Sequence, residues 1–330
     1  MNMESQDGGA GGTVLVSSAG RRNHLIRCFR QDAALLGSPW RVLATDMNPE
    51  LSAACQDADA AFTLPRCTAP EFVPALLGLC RSEKVDLVIP TIDTELALLS
   101  RHRADFAALG SKVVVSAPEV VAMATDKLAT AHLLLDAGIP TPRTLSLADY
   151  LLEPSRLCWP VIAKPIGGSA SLGVVRPGKP ADLTGLEPQA YIVQELWQGR
   201  EYTVNMFFDA TGQLRCAVPH ERIEVRAGEV SKGVTRRLPA LSAAARRLES
   251  VLPGAYGPLC FQAIVRDDGS FAIFELNARF GGGYPLAHQA GARFSQWLIE
   301  EVSGRASTAS DDWQAGVTML RYDAAVFLHE

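Results

Sequence analysis

Apolar positions follow two different rhythms along the chain. From Thr13 to about residue 115, short β-rich runs alternate with helical spacing. "TVLVSS" reads as a buried strand, and "NHLIRCFRQDAALLG" reads as a helix that stops at Gly37. "WRVLATD" is a second strand, "APEFVPALLGLCRSEK" is mostly helical, and "VDLVIPT" and "KVVVSA" are further strands. Strand, helix, strand in this order builds a parallel sheet with helices on its faces. Ligands meet such sheets beyond the C-terminal ends of the strands, which here carry residues 18–23, Asp46 and residues 91–95.

The rest of the chain has a mixed α+β rhythm. Residues 119–137 read as one or two helices closed by Gly138 and Pro140, with Asp126 able to cap the second at Lys127. "WPVIAKPIGGSASLGVVRP" reads as strand, Gly/Ser-rich turn, strand, and "AYIVQEL" as another strand. "EYTVNMFFD" and "LRCAVPHERIEVRAGEVSKGVTRRL" predict antiparallel strands with turns at Thr211-Gly212 and Ala227-Gly228. "LSAAARRLESVL" is a helix, and "AHQAGARFSQWLIEEVSG" is a final amphipathic helix.

Between those two helices lies "FQAIVRDDGSFAIFELNARFGGG". Asp268-Gly269 is a two-residue hairpin signal. That loop pairs Asp267 with Ser270, Ile264 with Ile273, and Gln262 with Glu275. One face then carries Phe261, Ala263, Val265, Ala272, Phe274 and Leu276, an ordinary core face. The other carries Ile264 and Ile273, and gathers Gln262, Glu275 and Asn277 at one end. Carboxylate and amide oxygens suit a hard cation such as Mg²⁺, which completes its shell with phosphate and water. Only one of the three side chains is charged, so a ligand is expected to bring more negative charge. Arg279, just beyond, could hold that ligand's phosphate. A solvated sheet face is the plainer reading, and a register slip would scatter the cluster.

Composition narrows the class. A length of 330 residues exceeds what one compact core usually organises, so two or three subdomains are expected. The chain is 48% hydrophobic and 20% charged, with a net charge of −5 and so no basic excess to suggest nucleic acid. The cysteine count is odd at 7, and no Cys-x-x-Cys pair occurs, which fits a reduced cytoplasmic chain rather than a disulfide frame or zinc site. The polar, Gly-rich start reads as a tail over residues 1–12, and no run resembles a signal peptide or membrane span.

Four further stretches carry candidate chemistry. In "KPIGGSASLGV", Lys164 ends a strand, and the glycines of the loop after it let backbone N–H groups approach phosphates, with hydroxyls as further donors. It is not a Walker loop, because no Gly-Lys-Ser/Thr follows. In "VQELWQGREYTVN", Glu195 ends a strand whose backbone can mimic base pairing to adenine, and Glu201 can accept ribose hydroxyls; surface carboxylates are the plainer reading. "SSAGRRNHL" has only Gly20 where a dinucleotide fingerprint needs three glycines, although a helix start flanked by Arg21 and Arg22 could bind an anion. "HERIEVRAGEVSKGVTRR" alternates charges in the manner of exposed strands; Lys232 beside Gly233 is its best phosphate contact, and His220 reads as a loop residue.

The order of these pieces carries a resemblance. Asp126-Lys127, then Lys164 with its Gly-rich loop, then Glu195 and Glu201, then Gln262 and Glu275-x-Asn277-x-Arg279 is similar to the ATP-grasp enzymes, from about residue 13 to 305. Within them the chain most resembles single-domain relatives of the carbamoyl-phosphate synthase large subunit. The resemblance implies an α/β and α+β chain: a Rossmann-like pre-ATP-grasp domain over 13–116, a lid subdomain over 117–192, a C-terminal subdomain with the metal site over 193–305, and an extension over 306–330. It implies ATP and one or two Mg²⁺, for which Mn²⁺ would also serve. Lys127 and Lys164 would contact phosphates, with Lys164 able to reach the adenine. Gly168, Ser169, Ala170 and Ser171 would close as a lid. Glu195 and the backbone of Leu196 would meet adenine, and Glu201 the ribose. Gln262, Glu275 and Asn277 would hold the metal; Arg279, with Lys232, would serve the transferring phosphoryl group. Ile273, from the register above, would line the adenine cleft.

The activity implied is ligation of a small-molecule carboxylate to an amine through an acyl phosphate. The chain is too short for a two-half carbamoyl-phosphate synthase and shows no Met-Lys-Met biotin carrier segment. A nucleotide-binding sensor without turnover, or an enzyme that stops at the phosphorylated product, are the alternatives. Candidate substrate residues are Arg21, Arg22, Asp93, Glu95, Arg222 and Arg236: carboxylates for an amino group, arginines for a carboxylate or phosphate. No nucleic acid or membrane partner is expected, and the resemblance admits a homodimer.

Overall fold

Val14, Leu15 and Val16 are fully buried because their strand lies in the middle of a parallel sheet. In the computed structural model, which describes residues 11–37, 39–168 and 172–328, that strand is β1 (Thr13–Ser17). With β2 (Arg41–Asp46), β3 (Ala60–Thr63), β4 (Leu87–Pro90) and β5 (Lys112–Val113) it forms a sheet in the order β3-β2-β1-β4-β5. All its pairings are parallel. Helices Asn23–Leu35 and Phe72–Glu83 connect strands as the pattern predicted, and Gly37 takes φ +65° just beyond the first. Strand β3 was not predicted: at the sheet edge its residues alternate between partial and full exposure and carry no buried run. The strand predicted over "KVVVSA" contracts to Lys112–Val113. The strand order reverses between β1 and β4, the switch point at which ligands meet such sheets.

The chain forms two compact units. One runs to Val115 and includes Arg293–Ala309 and the segment from Asp323; the other comprises Ser116–Ala292 and Ser310–Tyr322. The second unit holds two antiparallel sheets. The smaller, β6 (Thr144–Ser146), β8 (Tyr191–Glu195) and β7 (Val161–Pro165), packs Val161, Ala163 and Val193 against Leu147, Tyr150 and Leu183. The strand expected after the Gly/Ser turn is reduced to one bridge, Ala163 to Val175.

The larger sheet runs β13-β12-β9-β10-β11-β14. Its strands are β9 (Arg200–Phe208), β10 (Leu214–Arg226), β11 (Glu229–Thr235), β12 (Gly257–Val265), β13 (Phe271–Asn277) and β14 (Thr318–Leu320). Ala227 and Gly228 both have positive φ (+50° and +80°), the two-residue turn their sequence predicted. β14 comes from the C-terminal extension and pairs with β11. The final amphipathic stretch is two helices, not one: Tyr284–Gln289 and Phe294–Val302. Gly291 at φ +105° breaks the run, a conformation no L-residue holds inside a helix.

Candidate nucleotide and metal site

The β12–β13 hairpin closes through three residues, not two. Arg266 N–H donates to Ser270 O at 2.8 Å and Gly269 N–H to Arg266 O at 3.0 Å, with Gly269 at φ +83°. Asp267, Asp268 and Gly269 therefore form the loop, a common alternative to the two-residue turn. The outer pairs shift by one: Val265 faces Phe271, Ile264 faces Ala272, and Ala263 faces Ile273. A bulge at Phe274 then absorbs the shift, so Gln262 still faces Glu275, and Cys260 faces Asn277. Two consequences follow. Ile273 lies opposite Ala263, fully buried, so the register that was to bring it to the adenine cleft does not exist. Phe274, expected in the core, is part-exposed, and its ring lies 4.7 Å from Lys164 Nζ.

The expected oxygen cluster survives because the bulge precedes it. Asn277 Nδ2 donates to Glu275 Oε1 at 3.4 Å, and Arg279 Nη2 to Asn277 Oδ1 at 3.4 Å. Among the described residues no group of 3 or more His, Cys, Asp or Glu gathers to hold a metal. The cluster instead offers one carboxylate and two amide oxygens. That donor set fits a hard cation that shares its shell with phosphate and water, and does not fit zinc.

Lys164 is the best-defined cation nearby. It is 9% exposed and donates from Nζ to Gln194 Oε1 at 3.0 Å. Burial pushes its pKa down to about 8; Glu275 opposes that, Lys127 adds to it, Glu201 opposes and Arg176 adds. These five charges thus share one electrostatic neighbourhood. Lys127 opens the helix Lys127–Asp136, which Asp126 caps by accepting from Leu128 and Ala129 N–H at 2.8 and 2.9 Å. Its Nζ donates to Gly168 O at 2.8 Å, at the entrance of the Gly/Ser loop. Ser169, Ala170 and Ser171 lie outside the described residues. Gln194 and Arg176 escaped the sequence reading. The only signal for Gln194 was a lone amide in the apolar run "YIVQEL".

Other candidates have prior partners. Glu195 Oε1 accepts from Cys158 N–H at 3.0 Å. Leu196 N–H donates to Pro160 O at 2.8 Å, so backbone pairing to a base would have to use its carbonyl. Glu201 Oε1 lies 2.9 Å from Arg222 Nε, and Arg222 also donates to Thr203 Oγ1 and Gly228 O, so it is built into the sheet. Arg236 is exposed, 3.8 Å from Glu221. Lys232 lies on β11, four strands from β13, and pairs across the hairpin with Glu224 at 2.7 Å. The structure does not bring it to the Glu275 cluster. Its neighbour Gly233 answers a packing need: a Cβ there would meet Glu221 O at 2.8 Å.

His220 is a strand residue, not a loop residue. It sits fully buried on β10, with Nδ1 3.1 Å from Asn205 Nδ2. Burial, then Arg222 and Arg321, push its pKa down to about 3. A Cβ on Gly283 would lie 2.5 Å from His220 Nε2, and one on Gly282 2.8 Å from the Glu229 carboxylate, so these glycines let the chain lie flat on the sheet.

In the first unit, residues 18–22 and 91–95 meet at the switch point. Arg22 Nη2 donates to Thr91 O at 3.5 Å; Arg21 is exposed and Asp93 part-exposed. Glu95, expected to receive a substrate amine, is fully buried. It accepts from Ser17 and Ser18 hydroxyls and from Thr91 and Ile92 N–H, at 2.7, 3.0, 2.7 and 3.2 Å. Four donors leave it a structural carboxylate that clamps β1 to β4. Among the described residues no helix is long and apolar enough to cross a membrane.

Comparison with known proteins covers both units. Residues 14–114 match the family model for a PylC-like N-terminal domain, and residues 124–283 the model for an ATP-grasp domain. A D-alanine–D-alanine ligase of Stutzerimonas stutzeri is 29% identical over 217 residues, 58% of this chain and 67% of that protein. The biotin carboxylase domain of the Hydrogenobacter thermophilus 2-oxoglutarate carboxylase, a dimer solved with MgADP and bicarbonate, superposes with a TM-score of 0.70 at 16% identity, covering 92% of this chain and 72% of that one. An L-amino acid ligase from Bacillus licheniformis gives a TM-score of 0.68 at 17% identity, covering 92% and 77%. At these identities the two structures establish a shared fold.

Proposed function

The chain carries an ATP-grasp domain preceded by a PylC-like N-terminal domain, and on that premise we propose that it is an ATP-dependent carboxylate–amine ligase of small molecules. The observation that carries this reading is the sheet end where Gln262, Glu275, Asn277 and Arg279 converge, with buried Lys164 above the adjoining Phe274.

A carboxylate is a poor electrophile, because it is anionic and its leaving group would be oxide. Transfer of the γ-phosphoryl group of ATP to one carboxylate oxygen makes an acyl phosphate, with ADP leaving. An amine then attacks the carbonyl carbon, phosphate departs, and the amide forms. The protein positions reactants and stabilises charge. Lys127 and Lys164 hold phosphates. Gly168 and the loop after it close over them and exclude the water that would hydrolyse the acyl phosphate. Glu195 and the Leu196 carbonyl face adenine, and Glu201 the ribose. Gln262, Glu275 and Asn277 hold one or two Mg²⁺, with Mn²⁺ as a substitute, whose charge offsets that of the phosphate oxygens. Arg279 stabilises the transferring group. Arg21, Arg22 and Asp93, at the switch point of the first sheet, and Arg236 are candidates for the substrate's own polar groups. An odd count of 7 cysteines with no Cys-x-x-Cys spacing suits a reducing, cytoplasmic setting. A homodimer is part of the reading, to be checked by sedimentation.

The test is ADP and phosphate release from MgATP across a matrix of amino acids and small carboxylic acids, with products read by mass spectrometry. A pair that raises turnover and yields a mass equal to their sum less one water is the expected result. ATP binding that no pair turns into hydrolysis would favour a sensor. Phosphorylated product without amine-dependent phosphate release would favour simple phosphoryl transfer.

A further inference from the structure

Lys164 does not aim itself. Its stem is buried on β7, and its amine sits between the Phe274 ring and one amide oxygen, that of Gln194 on the neighbouring strand β8. Gln194 is itself 2% exposed. Its Nε2 donates to Thr144 Oγ1 at 2.8 Å, and the Thr144 hydroxyl donates to Pro142 O at 2.9 Å. The direction of each bond is forced. An ammonium only donates, so it takes the amide oxygen. The Thr144 proton goes to a carbonyl, so its oxygen must accept the amide N–H. The amide therefore cannot flip without breaking both contacts, and one rotamer of Gln194 fixes one position of the Lys164 amine.

We propose that Gln194 is the positioning residue for Lys164, holding its amine toward the nucleotide's phosphates through a relay anchored on Thr144 and the Pro142 carbonyl. This rests on the nucleotide-binding reading above. Gln194 touches no substrate in this scheme; it acts through Lys164 alone.

The test uses calorimetry of MgATP and of adenosine on the full chain at neutral pH. Hydrogen bonds to charged groups are among the stronger ones, so Gln194→Leu is expected to weaken MgATP binding by about tenfold or more. Adenosine, which has no phosphates, should weaken far less than MgATP, whereas general damage to the small sheet would weaken both equally. In a Lys164→Met background the Gln194→Leu change should have no further effect on MgATP, as a double-mutant cycle requires of residues acting as one unit. Should Gln194→Leu fold poorly, Thr144→Val removes the far anchor and should weaken MgATP in the same direction by less. Additive losses in the cycle, or equal losses for ATP and adenosine, overturn the positioning role and leave the ligase reading standing. Failure of the wild-type chain to bind MgATP overturns both.

Discussion

Glu275 is the one carboxylate among the three expected metal ligands, and its own contact, to Asn277, is long at 3.4 Å. Glu275→Ala should therefore leave folding largely intact while abolishing ADP formation. Losing a single well-placed transition-state contact costs ~100-fold or more, so activity above about a tenth of wild type would reject the assignment. His220 makes the opposite kind of prediction, about stability. Its folded pKa is depressed to about 3 from an ordinary 6.5. As pH falls below 6.5 the unfolded chain takes up the proton and the folded chain does not, so stability is lost progressively down to about 3. Between about pH 7 and about pH 5 that single group should remove about 2 kcal/mol. Urea midpoints of wild type should fall over this range by correspondingly more than those of His220→Gln; parallel curves would show that His220 titrates in place.

At the scale of elements, Asp126 holds the helix that presents Lys127. It satisfies two first-turn N–H groups that otherwise lack partners. Asp126→Ala should cost about 1 kcal/mol of stability, read by denaturant melts. Elements of this kind were legible in the sequence, because Asp at a helix start, Gly at a helix end and Ala-Gly at a hairpin leave local chemical marks. The oxygen cluster was legible too, though its derivation held only because a longer loop and a bulge cancel between Asp267 and Phe274. What failed was whatever depends on long-range pairing. Periodicity alone gives a bulge no mark, so Ile273 and Phe274 exchanged environments. The amphipathic run kept its helical period through Gly291, so the glycine just past the first helix was passed over as its stop signal. Glu95 and Lys232 were chosen for charge, but Ser17 and Ser18 hydroxyls bond the first and Glu224, across the β10–β11 hairpin, pairs with the second.

At the scale of the whole molecule, the chain returns to its first unit near its end. Arg293 and Ser295 both donate to Asp32, which is fully buried, so the helix Phe294–Val302 is joined to the helix Asn23–Leu35 by a buried polar bond across 261 residues of sequence. Every candidate nucleotide and metal residue, from Lys127 to Arg279, belongs instead to the other unit. The two facts together separate stability from binding. Removing one partner of a buried pair typically costs ~3 kcal/mol or more, because the other is left without compensation. Asp32→Ala should accordingly lower the thermal midpoint substantially. Below that midpoint it should leave the MgATP dissociation constant at the wild-type value, since no group that touches nucleotide has changed. Calorimetric titration beside a thermal melt of the same sample measures both quantities. A variant that melts early and also binds MgATP poorly would mean that Asp32 contributes to nucleotide binding, contrary to the assignment of that site to the second unit alone.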